Sequence, residues 1–282
     1  MKMKKFFCLI LALMFTLSFA ACNSDKPVDD MTPLKKSGVL RVGMECNYAP
    51  FNWMQKDPSA TAVAITSGGY ADGYDVQIAK ILAGKLGLKL EIYPMKWEGL
   101  IPALQSNVID CIVAGMSPNA ERKLTVDFSD CYYESKLVVV VKKDAKYASA
   151  KKLSDFSGAK ITGQLNTFHY GVIDQINGVN KQTALPDFPN MIVALQSGTI
   201  DGYISEEPGA ISAITANSDL TYVKFAEGSG FNTKAEDTSI AVAIRKNSNL
   251  KDELNKALAE ISKEKRDETM NAAYKNQPVS KE

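Results

Sequence analysis

The chain has 282 residues, with 33 basic and 32 acidic side chains, one histidine and five cysteines. A net charge of +1 excludes the dense basic surface that nucleic acid or an anionic bilayer would need. A single histidine, His169, excludes a histidine-rich metal centre, and the length suits one large domain or two small ones. No metal and no cofactor is expected.

The first segment reads as a leader. Lys2, Lys4 and Lys5 precede an apolar run from Phe6 to Phe19, and the small residues Ala20 and Ala21 follow. A run of 14 residues is short for a membrane helix, and polar Asn23, Ser24 and Asp25 end it. This order points to a secretory signal peptide over residues 1–21. Cys22, directly after Ala-Ala, resembles the lipobox of bacterial lipoproteins, in which this thiol is acylated and the chain is cut just before it. Phe19 stands where that motif usually has Leu. Ordinary cleavage, with Cys22 left as a free thiol, is the alternative. Residues 22–37 then read as a lipidated cysteine and a polar tether. Removal of residues 1–21 takes three lysines and no acid, leaving 30 basic against 32 acidic residues and a formal charge of −2.

The body alternates strand and helix signals. Val39–Glu45 predicts a strand. Tyr74–Leu86 predicts a helix, with Ile78, Ile81, Leu82 and Leu86 on one face and Gly87 as its stop. Leu88, Leu90 and Ile92 alternate as a strand, Leu100, Ile101 and Leu104 mark a helix, and Cys111–Ala114 is the next strand. This βαβαβ order implies an α/β fold whose mostly parallel sheet has helices on both faces. After a strong β run at Leu137–Val141 the pattern restarts: strand Lys160–Thr162, helix from Thr167, helix near Met191–Gln196, strand Gly202–Ser205, strand Ser239–Ile244. Asn247–Lys275 reads as one long helical tail with Leu250, Leu254, Leu258 and Ile261 on one face.

Residues 103–110 (ALQSNVID) are echoed by residues 194–201 (ALQSGTID), an offset of 91. In each, a helix ends at Asn or Gly, residues that tolerate a left-handed C-cap, and a strand follows Ile-Asp. The echo predicts two similar α/β lobes. Ligands bind beyond the carboxyl ends of strands in such sheets, and the offset places Gly115 of one lobe opposite Glu206 of the other. A cleft with backbone, Ser117 and Arg122 on one side and carboxylates on the other suits a zwitterion. Arg122 and Glu206 as solvated surface charges are the alternative. Of the cysteines in the body, Cys111 reads as a buried small residue, while a Cys46–Cys131 disulfide stays open.

Several motifs in order resemble the polar amino-acid solute-binding proteins of ABC transporters. They are Val42–Phe51 (VGMECNYAPF), Gly73–Val76 (GYDV), Trp97–Leu104 (WEGLIPAL), Ile109–Ser117 (IDCIVAGMS), Glu121-Arg122, Val126–Asp130 (VDFSD), Gly163–Thr167 (GQLNT) and Ile200–Tyr203 (IDGY). The resemblance covers about residues 38–275. It implies a two-lobed clamp with two crossing strands as hinge, near Ser135–Val138 and Glu236–Ile240. Lobe 1 would comprise residues 38–136 and 238–282, with the C-terminal helix, and lobe 2 residues 137–237. It further implies a monomer at the outer face of the cell membrane that delivers a free amino acid to a permease.

By the same resemblance Arg122 grips the ligand α-carboxylate, for which a planar guanidinium is suited, and Ser117 donates to the same group. Thr167 and the Phe168 amide add donors from lobe 2 at a helix start. Glu206, where relatives usually have Asp, pairs with the ligand ammonium, and Gly115 offers it a carbonyl beside Met116. Glu45 reads the ligand side chain, and Tyr48 and Trp97 wall the pocket. Ordinary core packing is the alternative for those two aromatics, and Phe51 and Trp53 are either further wall or packing. A carboxylate beside two aromatic faces suits a cation, so arginine is the first expectation, with glutamine or cystine open. An enzyme on the same scaffold, resembling the dehydratases that share it, would need an acid or base such as Glu206 or Glu207. His169 is read as structural, with aromatic neighbours, and no enzyme is expected. Cys131 stands where relatives have Pro, and Gln55–Asp72 reads as a flexible rim.

Overall fold

The computed structural model describes residues 26–278. The leader, Cys22 and the start of the tether lie outside the described residues. From Val28 onward the segment read as tether is docked on the body. Val28 bridges to Ser248, Asp30 forms an ion pair with Arg245 at 2.7 Å, and α1 (Met31–Ser37) buries Met31 and Leu34.

The chain then forms β1 (Val39–Met44), β2 (Asn47–Tyr48), β3 (Asn52–Gln55), β4 (Val63–Ala64), β5 (Tyr70–Asp72), α2 (Tyr74–Lys85), β6 (Lys89–Pro94), α3 (Trp97–Gln105), β7 (Cys111–Ile112) and β8 (Val126–Glu134). It continues with β9 (Leu137–Lys142), β10 (Lys160–Thr162), α4 (Phe168–Gly171), β11 (Asn180–Lys181), α5 (Phe188–Gln196), β12 (Gly202–Glu206), α6 (Glu207–Ala216), β13 (Leu220–Val223), α7 (Ala235–Thr238) and β14 (Ser239–Arg245). Two helices, α8 (Leu250–Ala259) and α9 (Lys263–Asn276), end it.

Two five-stranded sheets result, β6-β1-β7-β14-β8 and β11-β10-β12-β9-β13, each flanked by helices in a two-lobed α/β clamp. Each sheet is mixed rather than mostly parallel. β1 runs parallel to β6 and β7, but β14 is antiparallel to both β7 and β8. Likewise β10 is parallel to β11 and β12, but β9 is antiparallel to β12 and β13. The chain passes between sheets after β8 and again before β14, and Ser135 N donates to Thr238 O at 2.9 Å, tying the two crossings together.

The sequence echo is reproduced bond for bond. Asn107 and Gly198 both adopt positive φ, at 61° and 75°. Val108 N donates to Ala103 O and Thr199 N to Ala194 O, each at 3.0 Å. Asp110 then accepts from Arg41 N, and Asp201 from Lys160 N, each at 2.8 Å. Each lobe thus uses the same left-handed cap, then an Asp, to lock the entering strand to its parallel neighbour.

Two expectations need correction. The tail is two helices, because Ser262 caps the second by accepting from Lys265 N at 3.2 Å and the chain turns to bury Ile261. Gln55–Asp72, read as a flexible rim, is not loop throughout. It supplies β4 and β5 to a small sheet in the order β2-β3-β5-β4, fastened where Asp72 accepts from Ser59, Thr61 and Gln77. The described cysteines Cys46, Cys111 and Cys131 are all unpaired, which settles the open disulfide.

The turn into α2 requires a glycine. Gly73 has φ +125°, and a Cβ there would lie 2.4 Å from Phe51 O, the carbonyl that accepts from Asp75 N at 2.7 Å. Gly73→Ala is expected to destabilise the fold by about 2–3 kcal/mol. Urea unfolding measures this, and an unchanged midpoint would contradict the steric account.

Candidate functional site

The carboxyl ends of the parallel strands of both sheets converge. Glu45 follows β1, Gly115 and Ser117 follow β7, Gln164 to Thr167 follow β10, and Glu206 ends β12. Between the lobes lies an enclosed space of about 10 Å³ lined by Glu45, Tyr48, Trp97, Gly115, Ser117 and Arg122 from one side and Gln164, Thr167, Phe168, His169 and Phe188 from the other. A wider space of about 720 Å³ shares Trp97, Arg122, Thr167 and Phe168 with it and is also lined by Met116, Asn119 and Leu165.

Arg122 sits in a short 3-10 turn before β8. It is 9% exposed, donates from Nη1 to Ser117 O at 2.9 Å, and lies 4.9 Å from the Trp97 ring centre. Among the described residues no carboxylate is within ion-pair distance of it. Burial pulls its pKa down to about 10, partly offset by Glu206, so it stays cationic at neutral pH. A buried guanidinium on an aromatic face, without a carboxylate, is a site for an anionic group.

Ser117 is 2% exposed and follows Gly115, whose φ is +60°. A Cβ at Gly115 would approach the Tyr48 ring to 3.0 Å, so the residue must be bare for the two to pack. Met116 is core-facing, and its carbonyl accepts from Ala241 N at 3.1 Å. Thr167 does cap a helix, but α4 is a four-residue turn, and the Thr167 hydroxyl donates to Gln164 O at 2.7 Å.

Three of the hydrogen bonds that cross between the lobes lie at this cleft. The Tyr48 hydroxyl donates to Glu206 Oε2, Gln164 Nε2 donates to Glu45 Oε1 at 3.0 Å, and Trp97 Nε1 donates to Asn166 O at 3.2 Å. The Tyr48 ring also stacks on Phe188, with centroids 4.3 Å apart and planes 9° from parallel. Glu206 is 1% exposed and does not itself line the enclosed space. On that side the wall is Tyr48 and His169, whose Nε2 lies 3.3 Å from Glu206 Oε1. Burial alone would push Glu206 up, but His169, Tyr48 and Arg122 together outweigh it and hold its pKa below the ordinary value.

Sequence reasoning missed several of these residues. Gln164 was visible in the Gly163–Thr167 motif but carried no role. His169 has the expected aromatic neighbours, Phe168 at 4.6 Å and Phe188 at 6.3 Å, but it also faces a carboxylate. Phe188 gave no signal beyond opening a helix after Asp187. Phe51 and Trp53 are buried packing residues.

Glu45 is partly buried, and burial pushes its pKa up from 4.5 to about 7 despite the bond from Gln164. A folded pKa above the unfolded one means that the native state holds a proton the unfolded chain has lost between these values. Ionisation of Glu45 therefore costs stability as pH rises through about 7. The unliganded Glu45→Gln variant is expected to be about 1–2 kcal/mol more stable than wild type at pH 8. Urea denaturation should show the difference shrinking toward pH 4.5; a variant less stable at both ends would contradict it.

The chain is 32% identical over 269 residues to the arginine-binding extracellular protein ArtP of Bacillus subtilis (strain 168), covering 92% of this chain and 93% of that protein. It is 29% identical to the L-cystine-binding protein TcyJ of Escherichia coli (strain K12), covering 83% and 81%. The fold superposes with a TM-score of 0.76 on an amino acid ABC transporter substrate-binding protein of Streptococcus pneumoniae bound to L-arginine, at 29% identity and covering 88% and 99% of the two chains. Residues 40–277 match the family model throughout the clamp, and the chain belongs to the bacterial extracellular solute-binding proteins, family 3.

Proposed function

We propose that this protein is the extracellular amino-acid receptor of an ABC importer, with arginine as its ligand. One observation carries the reading: Arg122 is a buried cation facing the cleft without a carboxylate of its own, while Glu206 stands behind the opposite wall and Glu45 lines the cleft on the same side as Arg122. The α-carboxylate goes to Arg122 and Ser117, the ammonium to Glu206, and the side chain to Glu45 and Gln164 beside Tyr48 and Trp97. Lobe 1 (residues 38–136 and 238–282) and lobe 2 (residues 137–237) separate to admit it and close over it. The open form is favoured without ligand, and a ligand that touches both lobes shifts the population to the closed form. Lipidation of Cys22 holds the receptor at the outer face of the membrane, where the closed form docks on the permease. The arginine-binding ArtP of B. subtilis and the L-arginine complex from S. pneumoniae support the ligand class.

A second reading, glutamine or cystine, has its own support. Glu45 with a pKa of about 7 reaches its charged state only in part at neutral pH, and a neutral carboxyl beside Gln164 suits an uncharged polar group. The L-cystine-binding relative is in line with it.

Arg122→Ala is expected to weaken L-arginine by two to four decades, since removing one partner of a buried charge pair costs about 3–5 kcal/mol. Calorimetry with an intact thermal transition checks this, and near-normal affinity would sink the site assignment. Glu45→Gln is expected to weaken L-arginine at pH 8 far more than L-glutamine. Equal losses would reject Glu45 as the side-chain reader and favour the second reading.

A further inference from the structure

His169 is the chain's single histidine, is 6% exposed and lines the enclosed part of the cleft. Its Nε2 lies 3.3 Å from Glu206 Oε1, close enough for an ion pair. The ring is not aligned for a hydrogen bond, however, and His169 Nδ1, His169 Nε2 and Glu206 Oε1 are all buried without a hydrogen-bond partner. The other carboxylate oxygen, Oε2, already accepts from the Tyr48 hydroxyl. Buried polar atoms are almost always paired, and leaving three unpaired in one place is costly. They meet beside a space of about 10 Å³, the room of about one water molecule. A ligand ammonium cannot enter there unless something moves.

An imidazolium and an ammonium meet the same need at Glu206 Oε1. Each is a compact cation with N–H donors, and two of them at one oxygen repel. We propose that His169 is the protein's own stand-in for the ligand ammonium at Glu206: protonated, it holds the carboxylate when no ligand is bound, and the arriving ammonium displaces it. The imidazole then returns to its neutral form and its proton passes to solvent, while the ligand keeps its charge. Amino-acid capture is thereby linked to proton release, and acid weakens binding. This rests on the reading that the ligand ammonium goes to Glu206.

The other titratable or charged groups around this space are Glu45 after β1, Tyr48 on β2, Arg122 before β8 and Glu206 on β12, with Asp187 and Glu98 acting on Glu45 and Asp75 of α2 acting on Tyr48 and Glu206. Tyr48 is pushed well above its ordinary value, first by burial and then by Glu206, and it does not titrate near neutrality. Glu45 does, at about 7, and Asp75 does, at about 6, and both must be separated from His169 in any pH profile.

Because the chain has one histidine, its imidazole proton resonances are assigned without ambiguity. An NMR titration of the unliganded protein is expected to show the His169 midpoint falling by about half a pH unit or more in Glu206→Gln, since removing the carboxylate destabilises the imidazolium. A midpoint that stays or rises overturns the proposal, whatever the ligand. Calorimetry with L-arginine at pH 5.5 and 7.5 gives the second readout. The ratio of the two dissociation constants is expected to be at least about five-fold larger in wild type than in His169→Gln, because one linked proton changes affinity by up to about ten-fold per pH unit. Equal ratios overturn the proposal, and Glu45 and Asp75, present in both proteins, contribute to both alike. If wild type binds no L-arginine at either pH, the arginine reading falls, and the Glu206→Gln titration still decides the His169–Glu206 pair.

Discussion

Glu206 stands at the end of β12 with 1% of its surface exposed, where water cannot solvate it. A carboxylate in such a place must find partners or give up its charge, because an uncompensated buried ion costs several kcal/mol. Its partners come from three directions: His169 from α4, Tyr48 from β2, and Arg122 at longer range from the turn before β8. Two of the three belong to the other lobe, so part of the compensation of the charge on β12 is made only when the lobes meet. Much of the cleft follows from this. Phe188 stacks on the Tyr48 ring and fixes its position, and Gly115 lacks a side chain where that ring passes.

A second buried carboxylate supports the first from below. Asp75, at the start of α2, accepts from Asn52 Nδ2 at 2.8 Å and from the Tyr132 hydroxyl at 2.7 Å, and the Gly115 amide also bonds to it. Burial pushes it up to about 6, with these bonds opposing the shift. Asn52 in turn accepts from Cys46 N at 2.7 Å, and Tyr74 donates to Tyr132 O at 2.9 Å. One small polar cluster thus ties together the turn after β1, the Gly115 turn and the strand that leads to the first crossing. The walls of the cleft and the root of the crossing are held by the same bonds, so a shift of β8 is felt at Gly115.

What the sequence revealed and what it hid divide along a physical line. The two lobes were legible because their signal is local: a left-handed cap at Asn107 or Gly198 followed by Ile-Asp is chemistry within eight residues. The placement of Gly115 opposite Glu206 followed from that repeat and from the rule that ligands sit beyond the carboxyl ends of strands. The mixed sheets were not legible, since β8 and β14 carry the same alternation whichever way they run. The helical tail looked continuous because Leu250, Leu254, Leu258 and Ile261 keep their spacing up to the cap at Ser262 that breaks it. Contacts such as Tyr48 with Glu206, 158 residues apart, leave no mark on either segment. The same holds for Asp30 with Arg245, which converts an apparent tether into a docked segment.

The smallness of the enclosed space bears on how such a clamp works. The inner space of about 10 Å³ between Tyr48, His169, Phe188 and Arg122 is too small for an amino acid, whereas the 720 Å³ space that shares Arg122 and Trp97 with it is not, so it is access to the inner space that requires the cross-lobe bonds of Tyr48, Gln164 and Trp97 to break. A ligand gains closure only to the extent that its own groups replace what those bonds supplied. A group that meets Arg122 alone binds the open and closed lobes nearly equally and shifts nothing, however tightly it is held. On the proposed reading, closure selects for a molecule carrying an anion for Arg122 and a cation for Glu206 across the cleft, at a separation the clamp can span. The self-contacts set the threshold: each bond the empty lobes make with one another is one the ligand must improve on, and that makes the closed state a report on the ligand rather than on the clamp.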